Sequence, residues 1–143
     1  MAILQPALHG ESAGNMSKLE TQIEEIPGVE KGAALTLSGS LESDSLPLLQ
    51  NTIEQLEQRG FDRIAVEATS LEYINRAGFM VMVNFSKRLA EKDGALVLAG
   101  LTPKVERIFD MLGLRTFLQV VSTFDQATQA LVNGDTEEFN ENM

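Results

Sequence analysis

The chain has 143 residues, of which 43% are hydrophobic and 22% charged, and its 21 acidic and 11 basic side chains give a net charge of −10 at pH 7. This length fits one domain with a substantial core, and the negative charge argues against direct binding to nucleic acid or anionic lipid. The lack of cysteine excludes disulfides and thiolate chemistry, and no apolar run is long enough to cross a bilayer, so we expect a cytoplasmic protein.

The two ends of the chain differ in composition from its middle. Residues 1–18 mix Gly, Ser, Asn, Gln and Pro with little periodicity, and residues 133–143 are mainly acidic and polar. These compositions predict flexible tails on either side of one folded domain at residues 19–132.

Hydrophobic spacing within the predicted domain alternates between the period of a strand and that of a helix. The helix boundaries also carry capping signals, because Asn75 and Thr102 suit helix starts and Thr123 has capping-box spacing to Gln126. The predicted strands are residues 19–26, 33–37, 64–66, 95–99 and 117–121, and the predicted helices begin at Ser45, Asn75, Thr102 and Thr123.

These elements predict an α/β fold. After an initial strand pair, alternating helices and strands favour a mixed, mostly parallel sheet of about five strands with about four helices. The uninterrupted apolar run Ala95–Ala99 is typical of a strand covered on both faces, near the centre of the sheet. The inward face of the second helix is predicted to contain Phe79, Met82, Val83, Ser86, Leu89 and Ala90.

Three segments give the chain a resemblance to a known family. They are Gly39-Ser40-Leu41-Glu42 after the second strand, Asn75-Arg76-Ala77-Gly78-Phe79 at the second helix, and the apolar segment from Val105 to Leu114. They resemble the Gly-x-Leu-Asp, Asp-Ser-Ser-Gly-Leu and Gly-Leu-terminated segments of STAS domains, the family of bacterial anti-sigma factor antagonists. The resemblance extends over nearly all of the predicted domain and implies the STAS fold.

The resemblance also implies a phosphorylation switch, from which this sequence departs. In the family, a partner kinase phosphorylates the second serine of the turn, and the phosphate breaks the complex with that kinase. Here Glu42 and Asn75 replace two aspartates, while Arg76 and Ala77 replace the two serines. Because alanine has no hydroxyl, Ala77 cannot accept a phosphoryl group, so we expect a variant that is not phosphorylated at the usual position.

The leading hypothesis is a cytoplasmic, non-catalytic regulatory module that binds an anti-sigma factor, a kinase-like protein or another signalling protein. No cofactor is implied. The alternative is a scaffolding STAS subunit of a sensory or lipid-transport assembly, and a homodimer also stays open. The predicted partner-binding residues are Glu42, Asn75, Arg76, Ala77, Gly78, Met80 and Val81.

Each of these residues also has a purely structural interpretation. Asn75 can cap the helix, and Gly78 either permits close approach by a partner or packs the helix on a strand, the interpretation we favour. Arg76 opposes the helix dipole, so it either meets a carboxylate of the partner or pairs with Glu42 or Glu72.

Met80 and Val81 lie beside Ala77, away from the inward face of the second helix. They predict an apolar contact patch on the surface of the protein. Burial under the final helix, or in a dimer, explains them equally well.

The sequence offers little to an enzyme. Its one histidine, His9, lies in the N-terminal tail, and neither a phosphate-binding loop nor metal-ligand spacing occurs. Ser43, Asp44 and Ser45 have no neighbouring base, so we interpret them as caps. Hydroxyls that could accept phosphate in place of Ala77, although each is also typical of turns or caps, are Ser38, Ser40, Ser43, Thr69 and Ser70.

Overall fold

A computed structural model of the protein describes residues 18–133. The tails predicted from composition lie almost entirely outside these residues, so their flexibility stays a prediction. The strands are β1 (Glu20–Glu25), β2 (Gly32–Leu41), β3 (Arg63–Ile74), β4 (Ala95–Ala99) and β5 (Gln119–Val121), and the helices are α1 (Leu46–Gln58), α2 (Arg76–Ala90), α3 (Pro103–Met111) and α4 (Phe124–Asn133).

The five strands of the described region form one sheet in the order β1-β2-β3-β4-β5. The pair β1 and β2 is antiparallel, whereas β2, β3, β4 and β5 are parallel to one another. All four parallel strands therefore end at the same side of the sheet, which we call the carboxyl edge. The α/β fold with a mixed, mostly parallel sheet and four helices, predicted from the sequence, is confirmed.

The helices cover the two faces of the sheet unequally. Side chains of α1, α2 and α3 share the larger core with one face, and α4 packs against the other face through Ala127 and Leu131. Alternation along β3 explains the division, because Ile64 and Val66 point into the larger core and Ala65 points towards α4. The larger core includes a tilted contact between the Phe79 and Phe109 rings, whose centroids lie 5.4 Å apart.

Two details of the predicted fold were wrong. The predicted inward face of α2 included Ala90 and omitted Phe85, but Ala90 is exposed and Phe85 is buried. The buried residues near the end of this helix follow the spacing Met82, Phe85 and Leu89, which leaves Ala90 on the outer side. The predicted position of β4 is confirmed, because it is an internal strand next to the middle strand β3 and is covered on both faces. Both β2 and β3 extend well beyond the predicted apolar runs, since their last residues pair with each other up to Leu41 and Ile74.

Candidate functional site

The extension of β2 and β3 brings two predicted segments together. Leu41 and Ile74 are register partners, and the backbone N–H of Asn75 donates to the carbonyl oxygen of Leu41 at 3.0 Å. The loop that begins with Glu42 and the start of α2 therefore lie side by side at the carboxyl edge, as neighbouring parallel strands require.

The Glu42 loop is a short, hydrogen-bonded turn into α1. The backbone N–H of Glu42 donates to Ser45 Oγ at 2.9 Å, and that hydroxyl in turn lies 3.1 Å from the carbonyl oxygen of Ser40. Ser45 therefore takes part in the capping box of the short 3-10 turn, whereas at the start of α1 its side chain makes no capping hydrogen bond. Glu42 itself is exposed, which leaves its side chain at the surface beside the start of α2.

Asn75 caps α2. Its extended backbone, with φ −91° and ψ 176°, precedes the helix, and its Oδ1 accepts the backbone N–H of Gly78 at 2.8 Å. This is the usual arrangement of an N-cap side chain, which satisfies an amide that has no partner within the helix.

Replacing Asn75 with alanine should lower the free energy of unfolding by about 1 kcal/mol, because the Gly78 amide loses its acceptor. Urea unfolding followed by circular dichroism measures this cost. Asn84→Ala is the matched control, since Asn84 is exposed in the middle of the same helix and alanine favours helix there. Equal destabilisation by both substitutions would contradict the capping role.

Gly78 lies beneath the surface rather than on it. A Cβ built at this position would come within 2.8 Å of Leu41 Cδ2 and 3.0 Å of Ile74 Cγ1. The glycine thus lets α2 pack closely on the ends of β2 and β3, which favours the packing interpretation. Its contribution to any surface is limited to its backbone.

Arg76 and Ala77 are both exposed at the first turn of α2. None of the salt bridges found among residues 18–133 involves Arg76, so the predicted pairing with Glu42 or Glu72 does not account for it. A cation here lies at the positive end of the helix dipole, which is unfavourable for the isolated fold. The methyl of Ala77 occupies the surface position where the resemblance places a hydroxyl.

Met80 and Val81 differ in exposure. Met80 is 36% exposed, whereas Val81 is half-buried and packs against the larger core. The alternative of burial under the final helix was wrong, because α4 covers the opposite face of the sheet and contacts β3, β4 and β5.

Helical spacing places apolar side chains of the first turn of α1 beside those of the first two turns of α2. A salt bridge of 2.9 Å between Arg88 Nε and Glu57 Oε2 fixes the facing sides of the two helices. Val81 lies two turns before Arg88, and Leu46 lies three turns before Glu57, so both occupy the facing sides nearer the carboxyl edge. Leu46, like Val81, is half-buried against the core. We call Leu46, Ala77, Met80 and Val81 the apolar patch.

Two residues near this site were missed by sequence reasoning. Leu46, in the first turn of α1, is only partly buried and was not singled out as a surface residue from the sequence. Lys104, in the first turn of α3, places Nζ 5.7 Å from the centroid of the Tyr73 ring at the end of β3. No sequence signal links positions so far apart, because their contact depends on the order of the strands.

The other candidate phosphoacceptors are spread along the strands. Thr69 and Ser70 are exposed within β3, and the Thr69 hydroxyl donates to the Glu67 carboxylate. Ser38 and Ser40 are half-buried in β2. Ser43 is exposed and begins the short 3-10 turn before α1.

Within residues 18–133, no group of three or more His, Cys, Asp or Glu side chains could hold a metal ion. The same region contains no helix that is both long enough and apolar enough to span a bilayer. His9, the one histidine of the sequence, lies outside the described residues.

Comparison with known proteins identifies a family. A family model for the STAS domain matches residues 20–127. The anti-sigma-B factor antagonist of Staphylococcus epidermidis is 25% identical over 84 residues, which cover 59% of this chain and 78% of that protein.

Solved structures with low sequence identity share the fold. An anti-sigma factor antagonist from Mycobacterium paratuberculosis superposes with a TM-score of 0.71 at 18% identity, over 80% of this chain and 94% of that one. The anti-sigma factor antagonist SpoIIAA in its unphosphorylated form gives a TM-score of 0.64 at 17% identity, over 82% of this chain and 100% of that one.

Proposed function

The chain belongs to the STAS domain family, and on that premise we propose that it is a non-catalytic regulatory module that binds an anti-sigma factor or a kinase-like signalling protein. Relatives named as anti-sigma factor antagonists support this class of partner. The proposal includes a cytoplasmic location, which a sequence without cysteine favours.

The exposed first turn of α2 is the observation on which the proposal depends. Arg76, Ala77 and Met80 lie at the surface there, beside the exposed Glu42. Arg76 forms no salt bridge with another residue of the described range 18–133 and opposes the helix dipole, and Met80 is partly exposed. Neither feature stabilises the fold, whereas arginine and methionine are enriched in protein interfaces. We therefore assign the docking face to Glu42, Asn75, Arg76 and the apolar patch.

The docking face is proposed to work without phosphorylation at Ala77. A phosphate at this position would add nearly two negative charges at the start of α2 and would need to be desolvated in a complex. With a methyl in its place, position 77 cannot gain charge by phosphorylation, so control of binding is proposed to come from another source.

Ala77→Ser should introduce a phosphoacceptor at this exposed position. After incubation with ATP and the kinase encoded nearest to this chain, we expect intact mass spectrometry to show the added mass of one phosphoryl group on Ala77→Ser and none on the parent protein. Phosphorylation of the parent would contradict the proposal and direct attention to Ser43 or another hydroxyl. Ala77→Gly controls for changes at the same site that add no hydroxyl.

Site-specific cross-linking tests the docking face directly. A photo-reactive amino acid in place of Met80 should capture an anti-sigma factor or kinase-like protein in cells, identified by mass spectrometry. The control position is Gln129, which is exposed on α4, the helix on the opposite face of the sheet. Capture of the same protein from Gln129 alone would overturn the assignment of the face.

A further inference from the structure

We propose that the first eight residues of this chain, Met1–Leu8, occupy the apolar patch within the same molecule and compete with the partner for it. The segment would regulate access to a face that lacks a phosphorylation switch. This inference rests on the proposed function for its biological meaning, but the contact itself can be tested without any partner.

The route of the chain into the fold brings this segment to the docking face. The strand β1 is antiparallel to β2 and pairs Glu20 with Ser38, so β1 begins at the carboxyl edge. Lys18, two residues before β1, lies close to the end of β2, because a Cβ built on Gly39 would lie 1.9 Å from the Lys18 carbonyl oxygen. Residues 1–17 therefore join the fold on the side where β2 ends and the Glu42 loop begins.

The distance that the segment must cover is short. The strands β1 and β3 are two strand spacings apart, or about 10 Å, and α2 begins directly after β3. A coil of 17 residues has a typical end-to-end distance of roughly 20–25 Å, and its fully extended limit is about 60 Å. The apolar patch is thus within ordinary reach of residues 1–8.

The chemistry of the segment matches that of the patch. Met1–Leu8 has the sequence Met-Ala-Ile-Leu-Gln-Pro-Ala-Leu, with four large apolar side chains and no charged side chain. The patch offers the 36% exposed Met80 beside the half-buried Leu46 and Val81. A segment without carboxylate side chains also avoids the repulsion that a chain of net charge −10 exerts on acidic peptides.

The other end of the chain does not fit this role. Residues 134–143 contain four carboxylate side chains and only one large aliphatic or aromatic residue besides the last methionine. They follow Asn133 at the end of α4, which packs on the opposite face of the sheet. Charge and position both favour the N-terminal segment as the occupant of the patch.

The lack of cysteine allows a single nitroxide spin label to be attached to a Gly10→Cys variant of the full chain. In a sample with carbon-13-labelled methionine methyls, we expect the label to broaden the signal of Met80, assigned with Met80→Leu. Met111, at the far end of α3, is the internal reference and should stay sharp. A label at Gly134→Cys is the matched control and should leave Met80 unaffected.

Substitutions in the segment provide the decisive comparison. Leu4→Asp with Leu8→Asp should restore a sharp Met80 signal in the labelled protein, whereas Ala2→Ser with Gln5→Asn should not. The broadening should also be unchanged on dilution, as expected for a contact within one molecule. An unbroadened Met80 signal, or a broadening that disappears on dilution because a second copy supplies the segment, would overturn the inference.

The partner assay separates this inference from the proposed function. If the segment covers the patch for about nine-tenths of the time, Leu4→Asp with Leu8→Asp should raise the apparent affinity for the captured partner about tenfold. Unchanged affinity would overturn the competition. If Met80→Asp leaves partner binding intact while the spin-label contact is observed, the docking face is wrong and the contact of the segment stands.

Discussion

Gly39→Ala is expected to destabilise the protein by about 3 kcal/mol or more, a larger loss than that expected for removal of the Asn75 cap. Two effects add at this position. The residue has φ +93°, in the left-handed region that alanine rarely adopts, and the new Cβ would lie 1.9 Å from the Lys18 carbonyl oxygen. Backbone atoms cannot turn aside as a side chain can, so the start of β1 would have to move away from β2.

Gly28→Ala separates the two effects. Gly28 has a similar φ of +86°, but a Cβ there would meet no atom within 4 Å. This control should therefore lose only about 1 kcal/mol, the cost of the backbone conformation. Urea unfolding of both variants measures the difference between their free energies of unfolding, which is the cost of the contact with Lys18. Equal losses would show that the approach of Lys18 to Gly39 is not a rigid feature of the fold.

Local chemistry explains why much of this fold could be predicted from the sequence. Helix starts depend on residues next to one another, so Asn75 and Thr102 identified the beginnings of α2 and α3, and both side chains accept the expected backbone N–H. The alternation of strand and helix periods then limited the topology to a mixed sheet, because parallel strands need helical crossovers.

The remaining features depend on contacts between distant residues. The predicted strands stopped at the end of each apolar run, but β2 and β3 continue through polar residues because each backbone supplies hydrogen bonds to the other. The close approach at Gly39 has no signal in the sequence, and at Gly78 the sequence suggested helix packing without its partner, since the neighbours Lys18 and Leu41 are defined only by the assembled sheet. The sequence indicated which residues could form the docking face, and the topology explains how the Glu42 loop meets α2.

Arg76→Glu is expected to weaken binding of the captured partner by on the order of 100-fold, while making the free protein slightly more stable. The loss of binding follows if Arg76 meets a carboxylate of the partner, because reversal replaces an attraction with a repulsion in a desolvated contact. The gain in stability follows from the helix dipole: an acidic side chain at the first turn of α2 should add about 0.3–1 kcal/mol. A loss of partner affinity together with a gain in the stability of the free protein would identify Arg76 as a residue retained for binding.

Lys87→Glu is the matched control for Arg76→Glu. It makes the same change of charge on the same helix, but Lys87 is exposed in the last turn of α2. The dipole argument there has the opposite sign, so Lys87→Glu should cost about 0.3–1 kcal/mol of stability. Because Lys87 lies away from the carboxyl edge, reversing its charge should change partner affinity only through the small effect of net charge.

Isothermal titration calorimetry measures the partner affinity of both variants, and urea unfolding measures their free energy of unfolding. Equal loss of affinity in both variants would mean that overall charge governs the association and that Arg76 makes no specific contact.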